Sequence, residues 1–582
     1  MLFSCGLNGK LLLEGTLDLD NICISKSILL LNDNIHGSHH PISVISICLE
    51  LYLRTSITIA LIEFPCAAMS VLLYLLLINF VFCKFGKLIF VLGKIFFLFI
   101  ISFSYAQDLN FEKSPENYQL YPRDKNNKAS VVFSGITTEK NELNELELKV
   151  YKDEALYESK FIKIENKKFE FSYIINAGLF EYRFELYGDK KNEKKLLFSA
   201  DNIVCGDAYI ITGQSNSHAS SNKSIYSSPF VRSFGVKTGY EKYSDEDKKI
   251  RWGLATGNCK NCKGEAWEKG YDGGWFIKTS HGVGVWGMEL AKLLVEKHQI
   301  PVSIINGGSG SSTIEENMLY PEKISLETSF GRLAYRVDQA GLKNSIKAIF
   351  YHQGESDTYK ERALSYVNNF DILNKDWKRV YKGLEKIYLF QIHPGCGDAF
   401  QSEIREIQTQ ISKKYDHVKI MSTTAITGHD GCHFSFEGYK EFANRILPLV
   451  SRDLFEEKQA SIITPPQLLK AYYSGKKEIT LNFDQPVEIE EFYELNGTKH
   501  LMKDQFFFSL NKNRPYISGA VNSVESKDEQ IIIKLKSDQK YFAVTWLPNK
   551  EYIGTKDIYN GPWIKGLNNK IGALSFDNRK IY

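Results

Sequence analysis

Four short polar segments carry the residue types that acyl transfer requires. Ser215 lies in "TGQSN", directly after an apolar run at residues 208–211. The segment "NGGSGSSTIE" contains Gly310, "YHQGESD" contains Gln353, and "GHDGCH" contains Asp430 and His433. A serine nucleophile needs a base within hydrogen-bond reach, the base needs an orienting carboxylate, and the developing oxyanion needs fixed donors. Together the segments are consistent with a serine-dependent acyl-transfer site.

Each of these segments follows a strand that the hydrophobic pattern predicts. The apolar strands "AYIIT", "PVSIIN", "IKAIFY", "KIYLFQI" and "HVKIMS" alternate with amphipathic segments such as "WGMELAKLLVEKHQ". Nearly continuous apolar strands that alternate with helices predict a doubly wound parallel sheet. In such sheets the functional residues collect at the carboxyl ends of the strands, where the four segments fall.

Two regions with a different pattern flank this α/β region. Period-two alternation in "LELKV" and "YRFEL" predicts antiparallel strands, and hence a small N-terminal β-sandwich at residues 108–200. The strands "EITLNFDQPVEI" and "QIIIKLKSDQKYFAVTW" predict a second β-rich domain at residues 456–582. The α/β domain then occupies residues 201–455.

The N-terminal part contains the apolar run "LIFVLGKIFFLFIISFS", preceded by lysines and followed by "SYAQD". This pattern predicts a signal peptide at residues 84–106, cleaved after Ala106. A retained membrane anchor or a two-helix hairpin is the alternative, because the combined apolar length of this run and the preceding "MSVLLYLLLINFVF" could span a bilayer. Residues 1–83 are interpreted as an over-extended start of the gene. The expected product is secreted or periplasmic, without stable membrane insertion after cleavage.

Charge and cysteine content indicate which partners and which cysteine pairs to expect. The 582 residues include 72 Lys and Arg against 69 Asp and Glu, a formal charge of +3 without a basic block, so nucleic acid is not an implied partner. Cys259 and Cys262 form a lone CxxC, for which a local disulfide is favoured over half of a zinc site. Cys396 and Cys432 fall on neighbouring strand-end loops and are predicted to form a disulfide beside His433.

The motifs resemble a known enzyme family. GQSN, HQGESD and the late DxxH are similar to blocks I, III and V of the SGNH (GDSL-like) hydrolases, and more narrowly to the sialate O-acetylesterase and acetylxylan esterase branch. The resemblance covers about residues 200–455. It implies a doubly wound, flavodoxin-like parallel sheet, here flanked by N- and C-terminal β-sandwich domains.

The resemblance also implies roles for individual residues. Ser215 corresponds to the nucleophile, His433 to the general base and Asp430 to its orienting acid. The expected oxyanion donors are the backbone N–H of Ser215, a block II glycine matched by Gly310, and the side chain of Gln353. Further residues with possible supporting roles are Gln214, Asn216 and Glu355.

The chain departs from the family pattern in block II. Gly310-Ser311 stands where the family shows Gly-Gly, and Gly307-Gly308 precedes it, which leaves the register of the oxyanion glycine open. Asn317 replaces a tryptophan that often follows. His429, beside Asp430, is an alternative base that does not match the DxxH position.

The resemblance predicts a secreted serine esterase that removes O-acetyl groups from carbohydrate, from either sialic acid or a plant-type polysaccharide. No cofactor and no metal is implied, since no ligand cluster accompanies the motifs. A non-catalytic glycan-binding protein on an esterase scaffold and a lipase-type SGNH hydrolase are the alternatives.

Overall fold

The structure, a computed structural model, describes most of the chain after residue 108. The described ranges are 109–138, 143–190, 193–219, 221, 223–235, 250–257, 281–319, 328–512, 516–548 and 558–582, and the backbone of four short strands near the N-terminus. Two compact units are present, Met1–Gln107 and Asp108–Tyr582.

In the first unit the described elements are two antiparallel strand pairs. They are β1 (Leu2–Cys5), β2 (Leu11–Glu14), β3 (Asp18–Leu19) and β4 (Ile22–Cys23). The predicted signal peptide at residues 84–106 lies outside the described residues. Across the part of the chain that is described, no helix combines the length and the apolar character needed to cross a membrane.

Two mainly antiparallel sheets open the second unit and bury one face each in a common core. Their strands are β5 (Leu109–Lys113), β6 (Leu120–Pro122), β7 (Lys128–Thr137), β8 (Glu145–Lys152), β9 (Ala155–Lys163), β10 (Lys168–Asn176), β11 (Tyr182–Lys190) and β12 (Glu193–Gly213). One sheet has the order β10-β7-β5, and the other continues from β12 through β11 and β8 to β9. Phe133 from the first sheet and Leu148 and Phe184 from the second are buried in one cluster, as period-two alternation places them on one face.

The central sheet is parallel apart from one edge strand. It adds β13 (Val231–Gly235), β14 (Arg251–Leu254), β15 (Val302–Asn306), β16 (Ile346–His352), β17 (Lys386–Phe390) and β18 (Val418–Met421). The strand order is β14-β13-β15-β12-β16-β17-β18, with only β14 antiparallel to its neighbour. The chain is therefore mixed α/β with several sheets.

Strand β12 belongs to both sheet systems. Its first part pairs antiparallel with β11, where Glu193 lies opposite Lys190. From Asp207 onward it pairs in parallel with β15, and from Ala208 with β16. The boundary predicted between residues 200 and 201 falls inside this strand, so one continuous strand leads from the N-terminal sheets to the predicted nucleophile.

Strands β13 and β14 were not among the five strands that the sequence predicted. The segment "VRSFG" contains Arg232, which reads as polar yet is fully buried in the sheet. Its Nη2 lies 2.5 Å from Oε1 of Glu181 and donates to the carbonyl of Asn202 at 3.0 Å. The N-terminal region thus supplies the partners that allow a charged residue in a central strand.

Helices cover both faces of the parallel sheet. They are α1 (Ser215–His218), α2 (Val285–His298), α3 (Ser329–Gln339), α4 (Lys360–Val380), α5 (Gln401–Lys414) and α6 (Phe436–Phe455). Ile210 of β12 packs in a cluster with residues of α3, α4 and α5, whereas Ile211 packs in a cluster with residues of α2 and α6. Successive residues of one strand therefore face two separate helical layers.

The C-terminal region consists of antiparallel strands around a hydrophobic core of their own. They are β19 (Leu468–Gly475), β20 (Glu478–Phe483), β21 (Val487–Ile489), β22 (Phe492–Leu495), β23 (Thr498–Leu501), β24 (Phe506–Ser509), β25 (Val521–Lys527), β26 (Gln530–Leu535), β27 (Ala543–Trp546), β28 (Ile564–Gly566) and β29 (Phe576–Lys580). The main sheets have the orders β19-β20-β26-β25 and β24-β27-β29. Ser575, just before β29, hydrogen-bonds Gln391 after β17 and Arg405 of α5. The C-terminal sheets are thereby joined to the parallel sheet by buried polar contacts.

Candidate active site

The end of strand β12 places Ser215. The strand ends at Gly213, whose φ of 130° is a conformation that residues with side chains rarely adopt. A Cβ at this position would lie 2.1 Å from the carbonyl oxygen of His352 on the neighbouring strand. Because glycine alone permits this approach, the chain can turn directly into α1. Ser215 is the first residue of that short helix and is half-buried.

His433 lies next to Ser215 on the loop between β18 and α6. Its Nε2 is 2.9 Å from Oγ of Ser215, so the hydroxyl donates to the ring when Nε2 is unprotonated. The N-cap of α6 ends this loop, since Oγ of Ser435 accepts the backbone N–H of Gly438 at 3.2 Å. The structure thus places the predicted nucleophile and the predicted base in hydrogen-bond contact.

Asp430 shapes the turn that carries the base. Its Oδ1 accepts the backbone N–H groups of Cys432 at 2.9 Å and His433 at 2.6 Å. Its Oδ2 lies 4.0 Å from Nδ1 of His433, which is within ion-pair distance but too long for a hydrogen bond. Catalytic hydrogen bonds are often long in a site without substrate and tighten in the complex. A small side-chain movement would bring Asp430 onto Nδ1.

Asn216 connects the nucleophile helix to the base loop. Its Nδ2 donates to Oε1 of Glu355 at 2.8 Å and to the carbonyl of Cys432 at 2.9 Å, and its Oδ1 accepts the hydroxyl of Tyr439 at 2.8 Å. Glu355 is buried, which alone would raise its pKa, but the adjacent His352 and Asn216 lower the pKa below its ordinary value. Asn216 and Glu355 therefore hold the loops of the site together.

The block II loop, residues 306–315, is hydrogen-bonded to the end of β12. The N–H of Ser309 donates to the carbonyl of Gly213 at 2.9 Å, and the Ser312 hydroxyl donates to the carbonyl of Ser309 at 2.9 Å. Asn317 donates to Oγ of Ser312 at 2.8 Å, so this residue braces the loop from behind. Gly310 is buried, and among the hydrogen bonds of the described residues its N–H makes none.

Gln353 is fully buried behind the block II loop. Its Nε2 donates to Oδ2 of Asp357 and, at 3.1 Å, to the carbonyl of Ser312, and it lies 3.4 Å from Oε1 of Gln214. Gln214 in turn accepts the backbone N–H of Gly354 at 3.2 Å. The side-chain amide of Gln353 has two N–H groups, and both are directed to acceptors. A direct contact with the oxyanion would therefore require one N–H group to leave its present acceptor.

His429, the alternative base, makes other contacts. It is buried, and its Nδ1 accepts the backbone N–H of Gly431 at 3.0 Å. Its ring stacks on that of His393 with the centroids 3.7 Å apart. Burial lowers the pKa of His429 to about 4, so the ring is neutral at physiological pH. The hydrogen bond to Ser215 is made by His433 and not by His429.

A disulfide joins the loop after β17 to the base loop. Cys396 and Cys432 are bonded, and their Cα atoms are 4.6 Å apart. Cys432 directly precedes His433, so the bond limits the movement of the base loop. Of the described cysteines, Cys205 is free and buried. The Cys259–Cys262 pair lies outside the described residues.

Sequence reasoning missed one buried residue of the site, Asp357. It stands in the same "YHQGESD" segment as Gln353, and an acidic residue in a strand-end segment was the available signal. Only the structure shows that it is buried and hydrogen-bonded to Gln353 and to the backbone of Ile314. In the ranges with described side chains, no group of three or more His, Cys, Asp or Glu residues is placed to hold a metal ion.

The chain was compared with known structures. A carbohydrate acetylesterase from Xanthomonas citri aligns with a TM-score of 0.52 at 13% identity, covering 81% of this chain and 98% of that chain, which shows a shared fold. The NanS structure aligns at 12% identity over 43% of this chain and 99% of its own, with a TM-score of 0.33. No curated protein matches the chain in sequence.

A family model matches the region that contains the whole site. Residues 206–450 match the family described as "Carbohydrate esterase, sialic acid-specific acetylesterase". This range includes the four motif segments and the strands that carry them. Residues 206–450 are therefore a carbohydrate esterase domain of the sialate O-acetylesterase type, a carboxylic ester hydrolase.

Proposed function

We propose that this chain is a secreted serine esterase that removes O-acetyl groups from carbohydrates through a Ser215–His433–Asp430 triad and an acyl-enzyme. The observation that carries the proposal is the 2.9 Å contact between Oγ of Ser215 and Nε2 of His433. It lies at the carboxyl ends of parallel strands, inside the region that matches carbohydrate esterases.

The reaction follows from this contact. Oγ of Ser215 attacks the acetyl carbonyl carbon while Nε2 of His433 takes the hydroxyl proton. When the tetrahedral intermediate collapses, the bond to the sugar oxygen breaks and His433 returns the proton to that oxygen. Water then attacks the acetyl carbon with His433 again as base, the bond to Oγ of Ser215 breaks, His433 returns the proton to that oxygen, and acetic acid leaves and ionises to acetate. Asp430, turned onto Nδ1, stabilises the imidazolium that forms in each half-reaction.

The oxyanion needs donors that are already in place. The N–H of Ser215 is in the first turn of a helix and has no partner within that helix, and the N–H of Gly310 makes no hydrogen bond among the described residues. Both are backbone groups, which keep their direction during the reaction. Gln353 is the third predicted donor, and in the structure its side-chain nitrogen donates to Asp357 and to the carbonyl of Ser312.

We expect Gln353→Ala to lower kcat about a hundredfold, a loss of roughly 3 kcal/mol of transition-state stabilisation. KM should change little, because the oxyanion exists only near the transition state. Steady-state kinetics with an aryl acetate measures both constants. Gln505→Ala, which removes a buried amide from the C-terminal region, controls for lost packing. An unchanged kcat with a raised KM would make Gln353 a ground-state contact with the substrate.

The substrate class is tested by acetate release. The wild-type protein and Ser215→Ala are each incubated with an O-acetylated sialoside and with acetylxylan. We expect the wild type to release acetate from at least one of them and Ser215→Ala from neither. Glycan binding without acetate release would indicate a non-catalytic scaffold, and hydrolysis confined to long-chain esters would indicate a lipase-type enzyme.

We further infer the architecture of the secreted protein. Residues 201–455 would form the doubly wound sheet of SGNH hydrolases between β-sandwich domains at residues 108–200 and 456–582, and residues 84–106 would be removed after export. Helices on both faces of a parallel sheet support the first inference. The Cys396–Cys432 bond supports the second, because disulfides persist in oxidising compartments.

A further inference from the structure

Asp357 is a buried carboxylate beside the block II loop. It ends the short 3-10 turn Glu355–Asp357 after β16, and only 1% of its surface is exposed. Among the described residues, no lysine or arginine nitrogen lies within ion-pair distance of it. Buried carboxylates are costly unless hydrogen bonds compensate for the lost water, so its contacts should explain why it is retained.

The contacts of Asp357 converge on the block II loop. Its Oδ2 accepts the backbone N–H of Ile314 at 3.0 Å and an N–H of the Gln353 side chain. The second N–H of Gln353 donates to the carbonyl of Ser312 at 3.1 Å. One carboxylate oxygen therefore fixes, directly and through Gln353, both ends of the 312–314 segment, which follows Gly310 in the same loop.

Two tyrosines orient Gln353 toward this carboxylate. The hydroxyls of Tyr366 and Tyr351 donate to Oε1 of Gln353 at 3.0 Å and 3.2 Å. The ionised carboxylate of Asp357 and the carbonyl of Ser312 can only accept hydrogen bonds, so the NH2 group of Gln353 faces them and Oε1 faces the two hydroxyls. The carboxylate is thus the acceptor for which the surrounding donors are arranged.

The remaining charged groups around Asp357 do not cancel its charge. Burial raises the pKa of Asp357 most, the hydrogen bonds from Gln353 and Ile314 lower it, and the charges of Arg362 (lowering) and Glu315 (raising) act less strongly. Among the described residues, the phenols of Tyr351 and Tyr366 also face Asp357, and Glu355 lies on the same turn. The net result raises the pKa of Asp357 to about 6.

We propose that Asp357 is the positioning residue of the oxyanion hole, and that its ionised carboxylate holds Gln353 and the block II loop so that the N–H of Gly310 faces the substrate carbonyl. The proposal rests on the esterase function proposed above. When the carboxylate gains a proton, it loses the charge that holds both donors, and the loop is released. Activity should therefore fall as pH decreases through 6.

Two substitutions and a pH profile test the role. Asp357→Ala removes the acceptor and should lower kcat for an aryl acetate at pH 8 at least tenfold, with KM within about twofold of wild type. Asp357→Asn keeps the shape of the side chain but, like the protonated carboxyl group, carries no charge, so its kcat at pH 8 should fall severalfold below the wild-type value. It should retain a larger fraction of that activity at pH 5.5 than the wild type does. Asp371→Asn, which removes a carboxylate of α4 bonded to Lys414 and Tyr415, is the control and should leave the profile unchanged.

The result separates the positioning role from the esterase function itself. The same variants are also measured by the rate at which a fluorophosphonate modifies Ser215, which needs the oxyanion hole but no sugar. Wild-type kcat and modification rate in Asp357→Ala, or a wild-type acid limb in Asp357→Asn, would overturn the positioning role alone. Full activity in Ser215→Ala would instead remove the esterase mechanism on which that role rests.

Discussion

Ser215→Ala is expected to abolish hydrolysis of aryl acetates, with kcat reduced about a millionfold. The reason is covalent: without Oγ there is no atom at 2.9 Å from His433 that can form the acetyl-enzyme. The oxyanion donors remain in this variant, so a small residual rate above that in water should persist. Initial rates with 4-nitrophenyl acetate at high enzyme concentration measure the loss.

The control for this variant is a serine of the same region without a catalytic contact. Ser221→Ala removes a hydroxyl that accepts the backbone N–H of Lys223, and its kcat should equal that of the wild type. Mass spectrometry after incubation with a fluorophosphonate should show one adduct on the wild type and none on Ser215→Ala. Undiminished turnover in Ser215→Ala would rule out a serine nucleophile at this position.

His433→Ala should be nearly as damaging, because the hydroxyl of Ser215 would keep its proton during attack. The double variant with Ser215→Ala should be no slower than Ser215→Ala alone, since the two residues act as one unit. Asp430→Ala should be milder, because the carboxylate only orients and stabilises the imidazole ring and lies 4.0 Å from Nδ1. Single-turnover and steady-state rates for the variants give these comparisons.

His429→Ala is the matched control for the base. This ring is buried against His393 and makes its described hydrogen bond to Gly431, so its loss should lower stability more than kcat. Urea unfolding and kcat measured on the same preparation separate the two effects. An inactive, folded His429→Ala with an active His433→Ala would reverse the assignment of the base.

The strands and helices that carry the site could largely be predicted because their patterns are local. The amphipathic segment "WGMELAKLLVEKHQ" forms most of helix α2, and "AYIIT" lies in the strand that leads to Ser215. Strand β13 could not be predicted, because Arg232 reads as exposed until Glu181, fifty-one positions earlier, is placed beside it. Long-range partners decide such cases, and a single sequence does not reveal them.

The site shows the same division between local and long-range information. The types of Ser215 and His433 and their place at strand ends indicated their chemistry before their contact was known. The hydrogen-bond partners of Gln353 could not be predicted from residue types. Its side-chain nitrogen donates to Asp357 and to the carbonyl of Ser312, and folding brings the loop of Ser312 to it. Residue type predicts what a side chain can do, while its neighbours decide whether it is free to do it.

The hydrogen bonds between Ser575 and the parallel-sheet region limit where the protein can be truncated. Ser575 exchanges two hydrogen bonds with Gln391, its N–H donating to Oε1 at 2.9 Å and its carbonyl accepting from Nε2 at 3.1 Å. Arg405, fully buried, donates to the Ser575 hydroxyl at 2.8 Å. Ending the gene at residue 455 would remove the acceptors of this guanidinium, which are the Ser575 hydroxyl and the carbonyls of Leu547 and Pro548. The α/β region should therefore not be expressed without the C-terminal region. Fusion proteins and chimaeras should keep the chain through β29.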